Sequence, residues 1–158
     1  MTVWGELGLG WASVCCFGLT VASAVFPWMN AEIIVLALPA VAHSRLALIG
    51  LVVVATAGQM TGKCLVYWAG RGSSRLSSPK IVRTLDRWRE RFRRSRSSPM
   101  ALVLLSSAVG IPPFFVVTAM AGALKLNFPR FVLAGTIGRL VRFSALVFVP
   151  RLLINWLH

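Results

Sequence analysis

The sequence predicts an all-α, polytopic membrane protein. It reads as an inverted repeat of two re-entrant helical hairpins, each followed by a transmembrane helix, with a basic amphipathic helix on the membrane surface. Three observations predict this class. Of 158 residues, 57% are hydrophobic and 13% charged, about half the charged share of a soluble domain; no soluble core of this size hides so much apolar sequence, so the solvent is lipid. Two apolar regions are broken in corresponding places, by Phe26-Pro27-Trp28-Met29-Asn30-Ala31-Glu32 and by Gly110-Ile111-Pro112-Pro113, as broken helices around a midplane site are. The net charge of +13 is concentrated, with ten of the seventeen Lys and Arg in residues 71–96. Between apolar segments that cluster reads as a cytoplasmic loop rather than a nucleic-acid surface.

The elements follow in order. Residues 7–42 hold one apolar segment from Leu7 to Phe26 and another from Ala31 to Ala42. A helix needs about 20 residues to cross the ~30 Å hydrocarbon core. The first segment is borderline and the second too short, so the two together predict hairpin 1. Asn30 is placed to cap the second segment, which puts Glu32 at its second helical position, where the dipole favours a carboxylate. Residues 46–70 are long enough to span with some tilt. Ser78-Pro79 then opens a helix over 78–96. Within it Ile81, Leu85, Trp88 and Phe92 form one face and seven of the other fifteen residues are Arg, the pattern of a helix lying on an anionic membrane. Residues 99–124, carrying the second break, predict hairpin 2, and residues 129–150 predict the second span.

One membrane domain is expected over 1–158. Residues 1–10 carry no basic residue, so no cleaved signal peptide is expected. Cys15, Cys16 and Cys64 sit in apolar surroundings without ligand spacing and read as small hydrophobes. No metal or cofactor is expected.

Charge distribution orients the model of the fold. If 46–70 runs inward, hairpin 1 has both ends outside and hairpin 2 both ends inside. The ten basic residues of 71–96, with Lys125 and Arg130, are then cytoplasmic, and only Arg45 and Arg151 face outward. Lys63, Arg139 and Arg142 remain in the membrane. The two hairpin-plus-span units then have opposite orientations. An internal likeness agrees: Ala57-Gly58 before Gly62-Lys63-Cys64-Leu65-Val66-Tyr67 matches Ala134-Gly135 before Gly138-Arg139-Leu140-Val141-Arg142-Phe143 in its small residues, Gly-cation pair and aromatic.

The intramembrane charges carry the functional signal. Arg139 lies about 16 Å from either end of the second span, at mid-bilayer. A central Arg costs roughly 2.5–3.5 kcal/mol to insert, which calls for a partner or a function. Arg142, three residues on, shares its face. Two readings compete: a cationic pair that receives an anion, most naturally a phosphate, or a structural ion pair with Glu32 and snorkelling by Arg142. Lys63 lies about 12 Å below the cytoplasmic edge, and for it binding and snorkelling weigh equally. Glu32 is either a helix-start carboxylate stabilised by the dipole or a proton-titrating group that faces Arg139 or Lys63. Asn30 and Pro112-Pro113 precede half-helices whose first amides are suited to an anion; for the Pro pair the alternative is an ordinary kink. Gly58 and Gly62 form a small-xxx-small packing pattern. The sequence offers no nucleophile–base pair, so an enzyme is not expected.

Three blocks carry a resemblance. Pro27 through Glu32, the set Gly58-Gln59, Gly62, Tyr67 and Gly70-Arg71, and the block Gly138 to Phe143 resemble the DedA family of SNARE-associated Golgi or VTT-domain proteins. The chain is most similar to the short YqaA-like bacterial branch, over about residues 15–148. The resemblance implies opposed re-entrant hairpins in an inverted repeat. It also implies lipid translocation, of undecaprenyl phosphate in bacteria and by phospholipid scrambling in eukaryotic relatives, with proton coupling. Pro27, Gly58, Gly62, Tyr67, Gly70, Arg71, Gly110 and Gly138 then read as structural motif residues. Most members carry two Arg around the Pro-Gly of the second hairpin, where this chain has Ser107, Ala108 and Pro113. Either Arg139 and Arg142 substitute for them or the substrate differs.

The expected function is a flippase-like movement of an anionic, phosphate-bearing lipid across the cytoplasmic membrane. Arg139, Arg142, Lys63, Asn30, Pro112 and Pro113 would bind it, and Glu32 would couple ions. The expected partners are membrane lipids, either anionic phospholipids or polyprenyl phosphate, with no nucleic acid; a homo-oligomer is compatible with this reading. The first rival is a non-transporting scaffold or envelope-assembly factor, in which Glu32 and Arg139 serve stability alone. The second is an enzyme acting on lipid phosphates, against which the absence of any nucleophile–base pair counts.

Overall fold

The computed structural model describes residues 3–26, 29–42, 44–73, 90 and 99–156. Among them it is all-helical: α1 (Val3–Val25), α2 (Ala31–Val41), α3 (Arg45–Ser73), α4 (Pro99–Val109), α5 (Phe114–Ala123) and α6 (Phe128–Trp156). Pro27 lies outside the described residues, as does the predicted surface helix over 78–96 apart from Glu90.

Local chemistry sets the boundaries. Asn30 caps α2, its side chain accepting the Glu32 amide at 3.0 Å. Ser44 does the same for α3, accepting from the Ala47 amide at 3.1 Å. Helix α4 starts at Pro99, whose missing N–H costs nothing in a first turn. It stops at Gly110, which takes φ 87° while its amide still bonds the Ser106 carbonyl. The Ile111–Pro112 peptide is cis. Ser106 holds the break by donating its hydroxyl to the Pro112 carbonyl at 2.6 Å. Helix α5 closes in a Schellman motif: Lys125 (φ 55°) bonds the Gly122 carbonyl and Leu126 the Ala121 carbonyl. Asn127 then caps α6, accepting the Arg130 amide at 3.1 Å. Helix α6 runs through Pro150 to Trp156.

Among the described residues two helices, α3 over Arg45–Gly72 and α6 over Phe128–Pro150, are long and apolar enough to cross a membrane. Helices α2, α4 and α5, with 11, 11 and 10 residues, reach only about half of the ~30 Å core. Large apolar side chains stand on the outside, among them Trp11, Ile33, Leu46 and Leu133, each more than 60% exposed. Apolar surface on this scale fits lipid rather than water.

The chain divides into two compact units, and the division falls inside α3 and α6. The first comprises Met1–Gly62 and Arg139–His158. Its core joins Cys16 of α1, Ala31, Val35 and Leu38 of α2, Leu48, Leu51, Val52 and Ala55 of α3, and Phe143 and Val147 of α6. Helix α1 approaches α3 at Gly58 and Gly62, where an added Cβ would stand 2.7 Å from the Phe17 and Val21 carbonyls respectively. The small-xxx-small pattern is therefore a packing seam.

The second unit is Lys63–Gly138. Its centre is aromatic: Tyr67, Phe114 and Phe131 are buried, and Tyr67 stacks on Phe131 with centroids 5.1 Å apart. Gly70 and Gly122 let α3 and α5 touch backbone to backbone, since side chains there would run into Ala119 and Tyr67. Gly138 does likewise for α6 against the Leu104 carbonyl of α4.

Candidate functional site

In the first unit the start of α2 meets the middle of α6. Ala31 and Val35 share a core with Phe143 and Val147, which draws the first turn of α2 to the turn of α6 that carries Arg142. Glu32 Oε1 accepts from Arg142 Nε at 3.0 Å and from a terminal guanidinium nitrogen of the same side chain. The pair is partly buried. The carboxylate thus has two helpers, the charge of Arg142 and the positive end of a capped helix.

The sequence expectation of Glu32 facing Arg139 or Lys63 needs correction. Arg142 makes the direct ion pair, because packing through Phe143 aligns α2 with that turn. Arg139 is one turn away, 9% exposed, with its guanidinium 5.7 Å from the Phe143 ring centroid. Arg139 stands three residues before Arg142, near the same face of α6. Among the described residues, Arg139, Arg142 and Glu32 bring two cations and one anion together. Arg139 stands 11 residues from each end of the apolar stretch Phe128–Pro150, so the charge sits at its middle.

The second unit holds the other expected residues. Lys63 is 4% exposed, and its Nζ stands 5.8 and 5.1 Å from the ring centroids of Phe114 and Phe115. Those rings open α5 directly after Pro112-Pro113. Pro113 is the N-cap position and supplies no side-chain cap. Tyr67 donates its hydroxyl to the Leu126 carbonyl and accepts from Arg71 at 3.3 Å; Arg71 also lies over Trp68. Tyr67, Gly70 and Arg71 therefore fasten the end of α3 to the turn after α5. Ser107, one of the residues that depart from the family pattern, is buried and donates to the Leu104 carbonyl at 2.8 Å. Asn30, Glu32, Arg139 and Arg142 thus belong to one unit, and Lys63, Pro112 and Pro113 to the other.

Sequence reasoning missed a buried polar chain in the first unit. Gln59 is 2% exposed and donates its amide to Ser23 Oγ at 2.8 Å, and Ser23 donates to the Thr20 carbonyl at 2.9 Å. Gln59 Oε1 is buried and makes no hydrogen bond among the described residues, a costly state in a low dielectric. The available signal was composition: Gln59 is the only glutamine of the chain, and it lies inside an apolar span. No cluster of potential metal ligands occurs among the described residues.

A family model, the VTT domain, matches residues 19–152. Neither a curated protein nor a solved structure matches the chain significantly.

Proposed function

Since this chain belongs to the VTT-domain family of membrane proteins, we propose that it moves an anionic, phosphate-bearing lipid across the cytoplasmic membrane. The observation that carries this reading is the pairing of Arg142 with Glu32 of α2 three residues from the buried Arg139, at the middle of the apolar α6. A lone cation there would only be a cost. Arg142, paired with Glu32, and Arg139, three residues before it, make an exchangeable site instead. A lipid phosphate replaces the carboxylate on Arg142 and gains Arg139 as a second donor. A proton on Glu32 removes the competitor and couples transport to pH. Asn30 caps α2 and so sets the Glu32 carboxylate at the helix start. In this reading α1–α2 and α4–α5 are re-entrant hairpins of an inverted repeat in a multi-pass inner-membrane protein. The protein transports and performs no covalent chemistry.

Liposome reconstitution with fluorescent phosphatidylglycerol and polyprenyl phosphate tests the reading. Arg139→Gln should lower translocation at least about tenfold, the loss of ~1.4 kcal/mol expected for one charge-assisted contact, while the protein still inserts. Glu32→Gln should retain translocation and flatten its pH dependence. A scaffold role makes a different prediction: neither variant changes lipid movement, and both lower stability because one partner is stranded. That outcome would refute the transport reading.

A further inference from the structure

We infer that the second unit carries a site for an anionic phospholipid outside the central constellation, with the acyl chain laid in a groove between α4 and α6 and the phosphate on Arg130. The groove has a volume of about 380 Å³. One wall is Met100, Ala101 and Leu104 of α4; the other is Leu133, Ala134 and Ile137 of α6. Arg130 completes the lining.

The spacing explains the shape. Residues 130, 133, 134 and 137 lie at i, i+3, i+4 and i+7, a single stripe of α6. The stripe extends about 10 Å along the helix at 1.5 Å per residue. Small side chains at Ala101 and Ala134 leave the trough between the bulkier ones. Ser107, whose hydroxyl lies 3.4 Å from the Ala134 carbonyl, is buried and donates to the Leu104 carbonyl, so it offers nothing to a polar guest. Among the lining residues only Arg130 is charged. Arg130 is exposed and stands in the first turn of α6, three residues into the apolar stretch Phe128–Pro150. It is therefore level with lipid headgroups while Ile137 lies deeper. Its backbone amide is tied to Asn127, which fixes the turn that presents the side chain.

An apolar trough with a cation at its headgroup end is complementary to a lipid with an apolar tail and a phosphate. A zwitterionic lipid fits the trough equally well but brings its own cation beside Arg130, which lowers the electrostatic gain. Selection of an anionic headgroup is the consequence. The inference does not depend on transport by the chain.

Photo-crosslinking tests it on the full-length protein in liposomes. The probes are phosphatidylglycerol and phosphatidylcholine with a diazirine in one acyl chain, and adducts are mapped by mass spectrometry. Adducts are expected on Met100–Leu104 and Leu133–Ile137, with phosphatidylglycerol favoured about fivefold, equivalent to ~1 kcal/mol for one cation near the surface. Arg130→Gln should lower labelling by phosphatidylglycerol to the phosphatidylcholine level. Ala101→Trp, which fills the trough and leaves Arg130 in place, should remove adducts from both lipids at these positions. Equal labelling by the two lipids, or a preference that survives Arg130→Gln, would overturn the inference. Because the readout is position-specific, binding to the basic residues of 71–96 does not enter it. Loss of translocation in Arg139→Gln with unchanged labelling here would separate this site from the transport site.

Discussion

At Gly122 the backbone of α5 comes so close to Tyr67 of α3 that a side chain would strike the Tyr67 carbonyl and the Arg71 amide. Neither of these is a flexible chain end that could step aside. Gly50, in the same helix as Tyr67, has open space where a Cβ would go. The two therefore predict opposite signs. Gly122→Val should destabilise by about 1–3 kcal/mol, the usual range for overpacking. Gly50→Ala should stabilise by about 0.5–1 kcal/mol through helix propensity alone. Thermal unfolding in detergent measures both, and a Gly122→Val protein that melts with the wild type would contradict the close approach. Among the charges, the sequence singled out Glu32, Arg139, Arg142 and Lys63 because a charge in an apolar run is visible without coordinates. Which of them pair was not visible. Arg142 and Arg139 differ by less than one turn, and only the packing of Phe143 and Val147 against α2 decides that Glu32 reaches Arg142. The Gln59–Ser23 bond joins residues 36 apart in sequence, and hydroxyl and amide groups in apolar helices carry no periodic signal.

Among the elements, the short helices were legible from their breaks. Pro and Gly leave few ways for a chain to continue, so Asn30 and Gly110 mark helix limits in sequence and in space alike. What holds the second break was not legible, because the bond from Ser106 to Pro112 depends on a local geometry that no spacing rule describes. The basic segment yields a prediction on its own chemistry. Ile81, Leu85, Trp88 and Phe92 give residues 78–96 one apolar face, set among Arg. A peptide of these residues should become helical on phosphatidylglycerol vesicles and leave them as salt rises and screens the charges. Circular dichroism checks this; a peptide that stays unstructured on the vesicles would remove the surface-helix reading.

For the whole molecule, the Lys and Arg asymmetry predicts orientation. With Cys15, Cys16 and Cys64 replaced by alanine, single cysteines at Ser74 and Asn127 should resist a membrane-impermeant thiol reagent added to the periplasmic side of intact cells, and should react once the membrane is opened. Efficient labelling in intact cells would reverse the topology. Composition by itself determined that this is an apolar helical protein, because 57% hydrophobic residues with so few charges admit no other solvent than lipid. The Gly110 break marked where α4 stops, since its positive φ acts on its own backbone, whereas α2 and α6 run through Pro39 and Pro150. Only the tertiary structure decided the grouping. It assigned Glu32, Arg139 and Arg142 to one compact unit and Lys63 to another, with the division falling inside α3 and α6. The physical reason is range: helix breaks and solvent preference are properties of neighbouring residues, whereas the partner of a charge is set by side chains a hundred positions away that pack into the same core.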